Sequence, residues 1–532
     1  MSTNKKINII CIIVTIVTIV IVGLFVFGKK LGIKAVSTES DAKEETSSYV
    51  TNKDLDYDWD ESKATYITLS GSEASIKGDG AYVAYGDLYI KKGGYYVLSG
   101  DAEDLSVIVE TDESSKVWIK LNSVNITCAD DACIMVKEAD KVFLTLPDGS
   151  ESSLTVTGEY SDEASEEGVD GVIYSKDNLT INGTGSLRVE SSSAHGIVAN
   201  DKLTLSGVAI NIDAKEDGIH TNGNVTVNDA SITINAGDDG ITSEKEVILA
   251  SGDINIEKAK EGIEGFAITV VDANVSVSFT DDGFNATSKD SETDDCFIRI
   301  SGGSVKLISE SGADVDGLDS NKDIYIEGGT VFVSLNGQGT NNAIDYGSEN
   351  GGKLVITGGT VIAAGSSQMI EGADASSTQA SILYAPGSIV SSGELVLKDA
   401  KENILIDELI PCDFSAILLS TPSLKVGETY TLSIGDVTEE IEVSSVNTTI
   451  GELKGGMMGP GGFEGKEGFG ERKEFKEGEQ GNRPEGFDGE RPELPEDFKE
   501  GEMPTPPEGF DPENMPAPPS GDFKPDNKKV AE

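Results

Sequence analysis

Carboxylates recur beside glycine through the middle of this chain, and their spacing is the first sign of chemistry. Glu216-Asp217, Asp238-Asp239, Glu261 and Asp281-Asp282 each stand immediately before a glycine, as Asp316 does later. The glycines of this slot, from Gly196 through Gly218 and Gly240 to Gly262, are 22 residues apart, and Gly283 follows 21 later. If each repeat is one coil of a stacked solenoid, the carboxylates of neighbouring coils lie about 5 Å apart. Like charges at that distance repel by roughly 1 kcal/mol even in water, so a column of them calls for a cation. Calcium takes six to eight oxygen ligands, and a turn offering two carboxylates per coil suits it. The predicted calcium ligands are therefore Glu216, Asp217, Asp238, Asp239, Glu261, Asp281 and Asp282, with Asp316 and Asp319 as a second group. A solvated acidic surface with splayed side chains is the plainer alternative.

The elements that must carry these residues are short strands. The slot is filled by Asp170-Gly171-Val172, His195-Gly196-Ile197, Asp217-Gly218-Ile219, Asp239-Gly240-Ile241, Glu261-Gly262-Ile263, Asp282-Gly283-Phe284 and Asp316-Gly317-Leu318, with Asn342-Ala343-Ile344 as a degenerate last copy. Each copy holds three alternating runs, such as Gly240-Ile241-Thr242-Ser243, Glu246-Val247-Ile248-Leu249 and Asp253-Ile254-Asn255-Ile256. Alternation with period two means strands with one buried face. Three such strands and their turns fill a 22-residue coil, and stacked coils bury Ile, Val and Leu in one continuous column. The fold class is thus all-β, a right-handed parallel β-helix with three strands per coil, its hand set by the crossover rule. The slot glycines are expected to supply the positive φ of sharp corners.

Composition fits this fold. Of 532 residues only 6% are aromatic and 61 are glycine, which suits thin β-layers better than a helical core. The net charge of −53 leaves nothing basic to neutralise phosphates, which excludes a nucleic-acid partner. It also opposes acidic sugars, unless a cation lies between the two sets of charges.

Along the chain, residues 1–6 form a cytoplasmic stub. Lys5 and Lys6 precede an apolar run from Ile7 to Phe27, closed by Lys29 and Lys30. About 20 residues span a bilayer, so 7–28 reads as a transmembrane signal anchor in preference to a cleaved secretory peptide. Either reading places residues from about 30 onward outside the cytoplasm, and the anchor reading makes the chain a single-pass protein of the cell membrane with its bulk extracellular. Residues 29–58 are a polar linker, 59–410 the β-helix and 411–454 a small β cap, in which Leu424 to Leu432 gives two strands around a turn. From 455 to 532 a loose Glu-Gly-Phe repeat rich in Gly, Pro and Glu cannot build a core and reads as a disordered tail. Beyond Cys11 in the apolar run there are four cysteines. The spacing of Cys128 and Cys133 is too wide for a CxxC pair. They are either buried small apolar residues or a disulfide.

Several stretches together resemble a family of bacterial cell-surface β-helix proteins of clostridia and their relatives, the carbohydrate-binding domain-containing proteins. They are Ile67-Thr68-Leu69 with Gly78-Asp79-Gly80, the run from Gly93 to Gly100, Val117-Trp118-Ile119-Lys120-Leu121-Asn122-Ser123-Val124, and Val142 to Ser150. The Asp-Gly-Ile coils follow in the same order, so the resemblance covers roughly residues 55–455. Pro147 and Ser150-Glu151-Ser152 depart from it, where relatives tend toward Gly-Thr-Glu-Asn. The resemblance implies a right-handed parallel β-helix, bound calcium and affinity for cellulose or an acidic polysaccharide such as polygalacturonate, a plant cell-wall glycan. Tyr82, Tyr89, Tyr95, Tyr96 and Trp118 are candidate stacking faces for sugar rings.

Gly237-Asp238-Asp239-Gly240-Ile241 is similar to the paired aspartates of polygalacturonase-type glycosidases, in which two carboxylates serve as acid and base. The accompanying Gly-His-Gly and Arg-x-Lys are absent: Glu261-Gly262-Ile263 and Arg299-Ile300-Ser301 stand in their places. His195 and His220 lie upstream, and His220 is expected to be a plain surface residue. A calcium-dependent lyase would need a Lys or Arg base, for which Lys245 and Lys322, each five residues after a slot glycine, are candidates. The expectation is a binding protein without catalytic residues, with the lyase and a structural adhesin as alternatives.

Overall fold

The computed structural model describes residues 49–451, apart from 289–294, 313, 369 and 436. The expected anchor at 7–28 and the tail at 455–532 lie outside the described residues. Among the described residues no helix is long and apolar enough to cross a membrane.

Between the first and last coils the chain is a parallel β-helix. Its three faces are read directly from the strand register. One runs Ile197, Ile219, Ile241, Ile263, Phe284, Leu318 and Ile344, each paired in parallel with the next. A second runs Leu203, Val225, Val247 and Ile268. The third runs Ile210, Ile232, Ile254, Val275, Val305, Val331 and Val361. All of these side chains are buried and share one core. Each full burial of such a residue contributes about 1.5–3 kcal/mol. That gain accrues coil by coil, which is why a chain with so few aromatics folds at all.

Two details of the coils differ from expectation. The slot glycines Gly218, Gly240, Gly262, Gly283 and Gly317 do not have positive φ. They are required by close approach instead. A Cβ on Gly240 would sit 2.5 Å from the Gly262 carbonyl oxygen and 2.7 Å from Ile256 Cδ1, and Gly218, Gly262, Gly283 and Gly317 meet the following coil in the same way. In addition, Gly171 pairs with His195 and Ile173 with Ile197, so Asp170-Gly171-Val172 stands one residue out of the slot.

The ends are closed by antiparallel strands. Thr65–Gly71 with Glu73–Lys77, and Ala81–Ala84 with Asp87–Ile90, form two hairpins over the first coil. At the other end Ala416–Ser420 runs antiparallel to Thr360–Gly365 and Ser381–Ala385. A separate four-stranded antiparallel sheet, Ile404–Ile410, Gly393–Asp399, Thr429–Ile434 and Val437–Glu442, packs there. This lid begins at Gly393, within the range that sequence assigns to the coils, and Lys425 to Glu428 lie in the turn before its third strand.

Residues 49–58, read as linker, are packed on the outer face of the coils. Val50 and Asp54 are buried. Asp54 Oδ1 accepts from Lys141 Nζ at 2.5 Å and Thr180 Oγ1 at 2.6 Å, and the Asp54 carbonyl accepts from Asn182 Nδ2 at 2.9 Å. Further on, Trp59 caps a ladder of rings, Tyr95, Trp118 and Phe143, with centroids 4.8–5.2 Å apart. The cysteines Cys128, Cys133 and Cys412 are free and buried, and Cys296 is buried in the core.

Candidate metal centre

The turn before each slot glycine presents its acid on one edge of the coil, and backbone pairing holds successive acids in register. Four of the five inner carboxylates accept a hydrogen bond from the backbone N–H of the residue one coil on, while Glu261 Oε2 accepts from Asn285 Nδ2 at 3.0 Å. Asp217 Oδ1 accepts from Asp239 at 3.1 Å, Asp239 Oδ1 from Glu261 at 3.2 Å, Asp282 Oδ1 from Asp316 at 2.8 Å and Asp316 Oδ1 from Asn342 at 2.7 Å. A coil earlier, His195 Nδ1 plays the same role, accepting from the Asp217 N–H at 3.0 Å. Hydrogen bonding through one carboxylate oxygen explains the alignment: the side chain cannot splay into solvent without leaving an N–H of the next coil unpaired.

A second column runs beside the first, two residues after the slot glycine. Strand register places His220, Thr242, Glu264, Asn285, Asp319 and Asp345 in line. Together the columns make groups whose potential ligand atoms lie within 4.8 Å of one another: His195, Asp217 and His220; Asp217, Asp238 and Asp239; Asp239, Glu261 and Glu264; Asp316, Asp319 and Asp345. Asp281, Asp282, Asp314, Asp316, Thr340, Asn342 and Asp345 line an open cleft of about 390 Å³.

All nine acids expected from sequence therefore lie on this edge, in different settings. Asp217, Asp239, Glu261, Asp282 and Asp316 form the inner column. Glu216 is exposed, with Oε2 3.2 Å from His195 Nε2. Asp238 is ion-paired to Lys260 at 2.7 Å, and Asp281 is at the rim of the cleft. His220 is not a plain surface residue, since its Nδ1 is 2.7 Å from Asp217 Oδ2. The expected set omits Glu264, Asn342 and Asp345. The signal is present in the sequence, because Glu264 follows Gly262, and Asp345 follows Ala343, by the same two residues that separate Asp319 from Gly317.

The electrostatics separate the two ends of the edge. Burial alone would raise the Asp217 carboxyl, but the His220 hydrogen bond and the nearby His195 hold it below the ordinary range. Every other inner acid is pushed up, by burial first and by its neighbours second. Asp239 reaches about 7 beside Asp217, and Glu261 about 8 beside Asp239 and Glu264. Asp282 is raised to about 6, Asp319 to about 8 and Asp316 to about 9, the last also by Asp345. These acids resist ionising together unless positive charge joins them.

The donors around the cleft fit a hard cation. The Asp316, Asp319 and Asp345 group offers only oxygen, as calcium requires. Asn342, buried beside them, has a side-chain Oδ1 with no hydrogen-bond partner. A buried acceptor left without a donor costs about 1–3 kcal/mol, and a bound cation would remove that cost.

A family model described as carbohydrate-binding domain-containing protein matches residues 85–247 and 238–402. A carbohydrate-binding domain-containing protein of Acetivibrio thermocellus (strain ATCC 27405) is 33% identical over 137 residues, which are 26% of this chain and 48% of that protein. The chain thus spans about half the length of that relative. A solved structure described as the polysaccharide lyase-like protein from C. thermocellum, a gadolinium derivative, aligns with a TM-score of 0.35 and 22% identity, over 55% of this chain and 97% of that one.

Proposed function

Because this chain belongs to the carbohydrate-binding domain-containing protein family, we propose that it binds polysaccharide outside the cell with calcium held along its acidic edge. The observation that carries the calcium reading is the paired carboxylate columns, closed in by burial and left with an unpartnered Asn342 Oδ1. Asp316, Asp319, Asp345 and Asn342 would hold an ion at the cleft, and Asp239, Glu261 and Glu264 another on the regular coils. Bound calcium supplies the positive charge and open coordination positions that the carboxylates of an acidic glycan, polygalacturonate-like, can fill. The chain's own contribution is to fix Asp239 and Asp316 by backbone hydrogen bonds, so that less side-chain ordering is left for the moment of binding. The right-handed sense of the helix, and display through the apolar run at 7–28, belong to the same proposal.

The test is thermal melting and polysaccharide retention of the purified protein, with calcium or with a chelator. Calcium is expected to raise the melting temperature, and Asp316→Asn and Asp345→Asn to lose some of that rise. Polygalacturonate should be retained with calcium and released by the chelator. A melting temperature indifferent to calcium would remove the ion, and retention unchanged by chelator would remove its bridging role.

One observation favours a second reading, a calcium-dependent lyase. Lys260 stands on the acidic edge between Asp238 and Glu261 and is paired to Asp238. Like Lys245 it is exposed, and its pairing with Asp238 holds its ammonium above the ordinary range, so it would serve as a base only after leaving that partner, while Lys322 Nζ donates to the Asn350 carbonyl. Ultraviolet absorbance of unsaturated products in the same mixtures separates the readings. A flat trace supports binding alone, and a rising trace that Lys260→Ala abolishes supports the lyase.

A further inference from the structure

On the third face of the coils, outward positions meet solvent. Ala209, Asn211 and Asp213, then Asp253, Asn255 and Glu257, then Asn274, Ser276 and Ser278 are all exposed. The second face differs. Its outward column runs Tyr95, Trp118, Phe143, Thr180, Thr204, Thr226, Ile248 and Thr269. Thr204 and Thr226 are 0% exposed, Thr269 5% and Ile248 6%, and Ala250, Ala267 and Val271 beside them are buried as well. One coil on, Arg299 is only half-buried.

Residues 49–61 cover the first part of this column as a strap. Trp59 stacks on Tyr95, and Asp54 accepts from Thr180. Tyr49 reaches the next coil, where its carbonyl accepts from Lys202 Nζ at 3.4 Å. From Trp59 back to Tyr49 the strap climbs the face, so the residues before Tyr49 are directed at Thr226. Beyond that point burial continues without an occupant among the described residues. The Thr204 and Thr226 hydroxyl oxygens have no hydrogen-bond partner, and Ile248, Ala250, Ala267 and Val271 belong to none of the described apolar clusters. Buried hydroxyls are nearly always paired, and backbone laid across the face supplies donors and acceptors for them.

We propose that residues 40–48 carry the strap onward across Thr226, Ile248 and Thr269. Three coils at the strand spacing are roughly 14 Å, which about five extended residues span. The composition suits this course. Ser48, Ser47 and Thr46 come first, at the unpaired threonines. Glu45 and Glu44 follow, within reach of Lys245, which is exposed in the turn two coils beyond Lys202. The acids of the strap already pair with lysines of the coils in this way, Asp54 with Lys141 and Glu61 with Lys120. The second face lies across the coil from the corner that carries the acidic columns. A chain fastened along it and leading back to the apolar run at 7–28 turns the acidic edge away from the membrane. That consequence rests on the anchor reading; the docking does not.

The test uses full-length protein in detergent and the rate at which a maleimide labels one added cysteine, with the parent protein as background. Thr226→Cys is expected to react roughly a hundredfold more slowly than Asp253→Cys on the open face, and roughly tenfold faster once residues 40–48 are replaced by an equally long Gly-Ser stretch. Equal rates at the two positions, or a Thr226→Cys rate indifferent to the replacement, overturn the proposal. A second measurement leaves the coils unaltered. Thr46 is replaced by p-benzoylphenylalanine, and photo-cross-links are mapped by mass spectrometry in a mixture of isotopically heavy and light protein. Links within one molecule to residues 224–271 are expected. Links elsewhere overturn the proposal, as do links joining a heavy to a light molecule, because a second copy would then hold the face.

Discussion

A methyl group added at Gly240 has nowhere to go, since the Gly262 carbonyl oxygen and Ile256 Cδ1 both lie within 2.7 Å of where it would sit. Gly240→Ala is therefore expected to destabilise the protein by on the order of 2–3 kcal/mol in urea unfolding. Gly312→Ala, whose Cβ would meet nothing nearer than 3.8 Å, should stay within about 0.5 kcal/mol of wild type. The 22-residue spacing makes the position of this glycine legible but misleads about its cause. Sequence shows that a small residue recurs, and only the stacked coils show that a carbonyl lies over it. The same limit explains Asp345. The repeat is loudest before the glycine, and Asn342-Ala343 hides the last copy of the second column. Glu264 and Asp345 stand in plain view at a fixed offset, and finding them needs only the register.

Strands and coils are legible because alternation of Ile, Val and Leu follows from one-sided burial alone. Covered faces are not. Thr180 and Asn182 point outward from their strand, yet both are buried, because residues 49–58 lie across them. A polar, acidic stretch reads as linker when the partner that satisfies it is more than a hundred residues away. Asp54 is the pin of that contact. Burial would raise its carboxyl, but Lys141, Thr180 and Thr51 hold it down at about 2. A group depressed on folding adds stability that is present above its unfolded value of about 4 and lost as pH falls toward about 2. Asp54→Ala is expected to cost about 3 kcal/mol at neutral pH, because Lys141 would be left half-buried and unpaired. Limited proteolysis between 49 and 63 should accelerate in that variant, and unchanged cleavage would mean that the segment is held by its aromatic contacts alone. The lid is similarly hard to place at its start, since Gly393–Asp399 alternates as a coil strand does and differs only in pairing antiparallel.

For the molecule as a whole the net charge of −53 and the acidic edge predict a pH dependence opposite to that of an ordinary acidic protein. Apart from Asp217, the inner acids are raised in the fold, from about 6 at Asp282 to about 9 at Asp316, so at these positions the native state binds more protons than the unfolded chain. Stability contributed in this way is fully present below about pH 4 and declines as pH rises through the window from about 6 to 9. Metal-free protein should therefore melt at lower temperature at pH 9 than at pH 6. Added calcium should reverse most of the loss, and its effect should be larger at pH 9. A calcium shift that is equal at both values would mean that the ion binds away from these acids.

The backbone hydrogen bonds that tie Asp217, Asp239, Asp282 and Asp316 to the coil that follows have one more consequence. The acids and the structural unit that carries them are inseparable, so duplication or deletion of a single 22-residue unit adds or removes that unit's set of acids without disturbing the others. Valency toward a long polymer is then a countable, heritable property of the chain, open to adjustment by unequal recombination as well as by substitution.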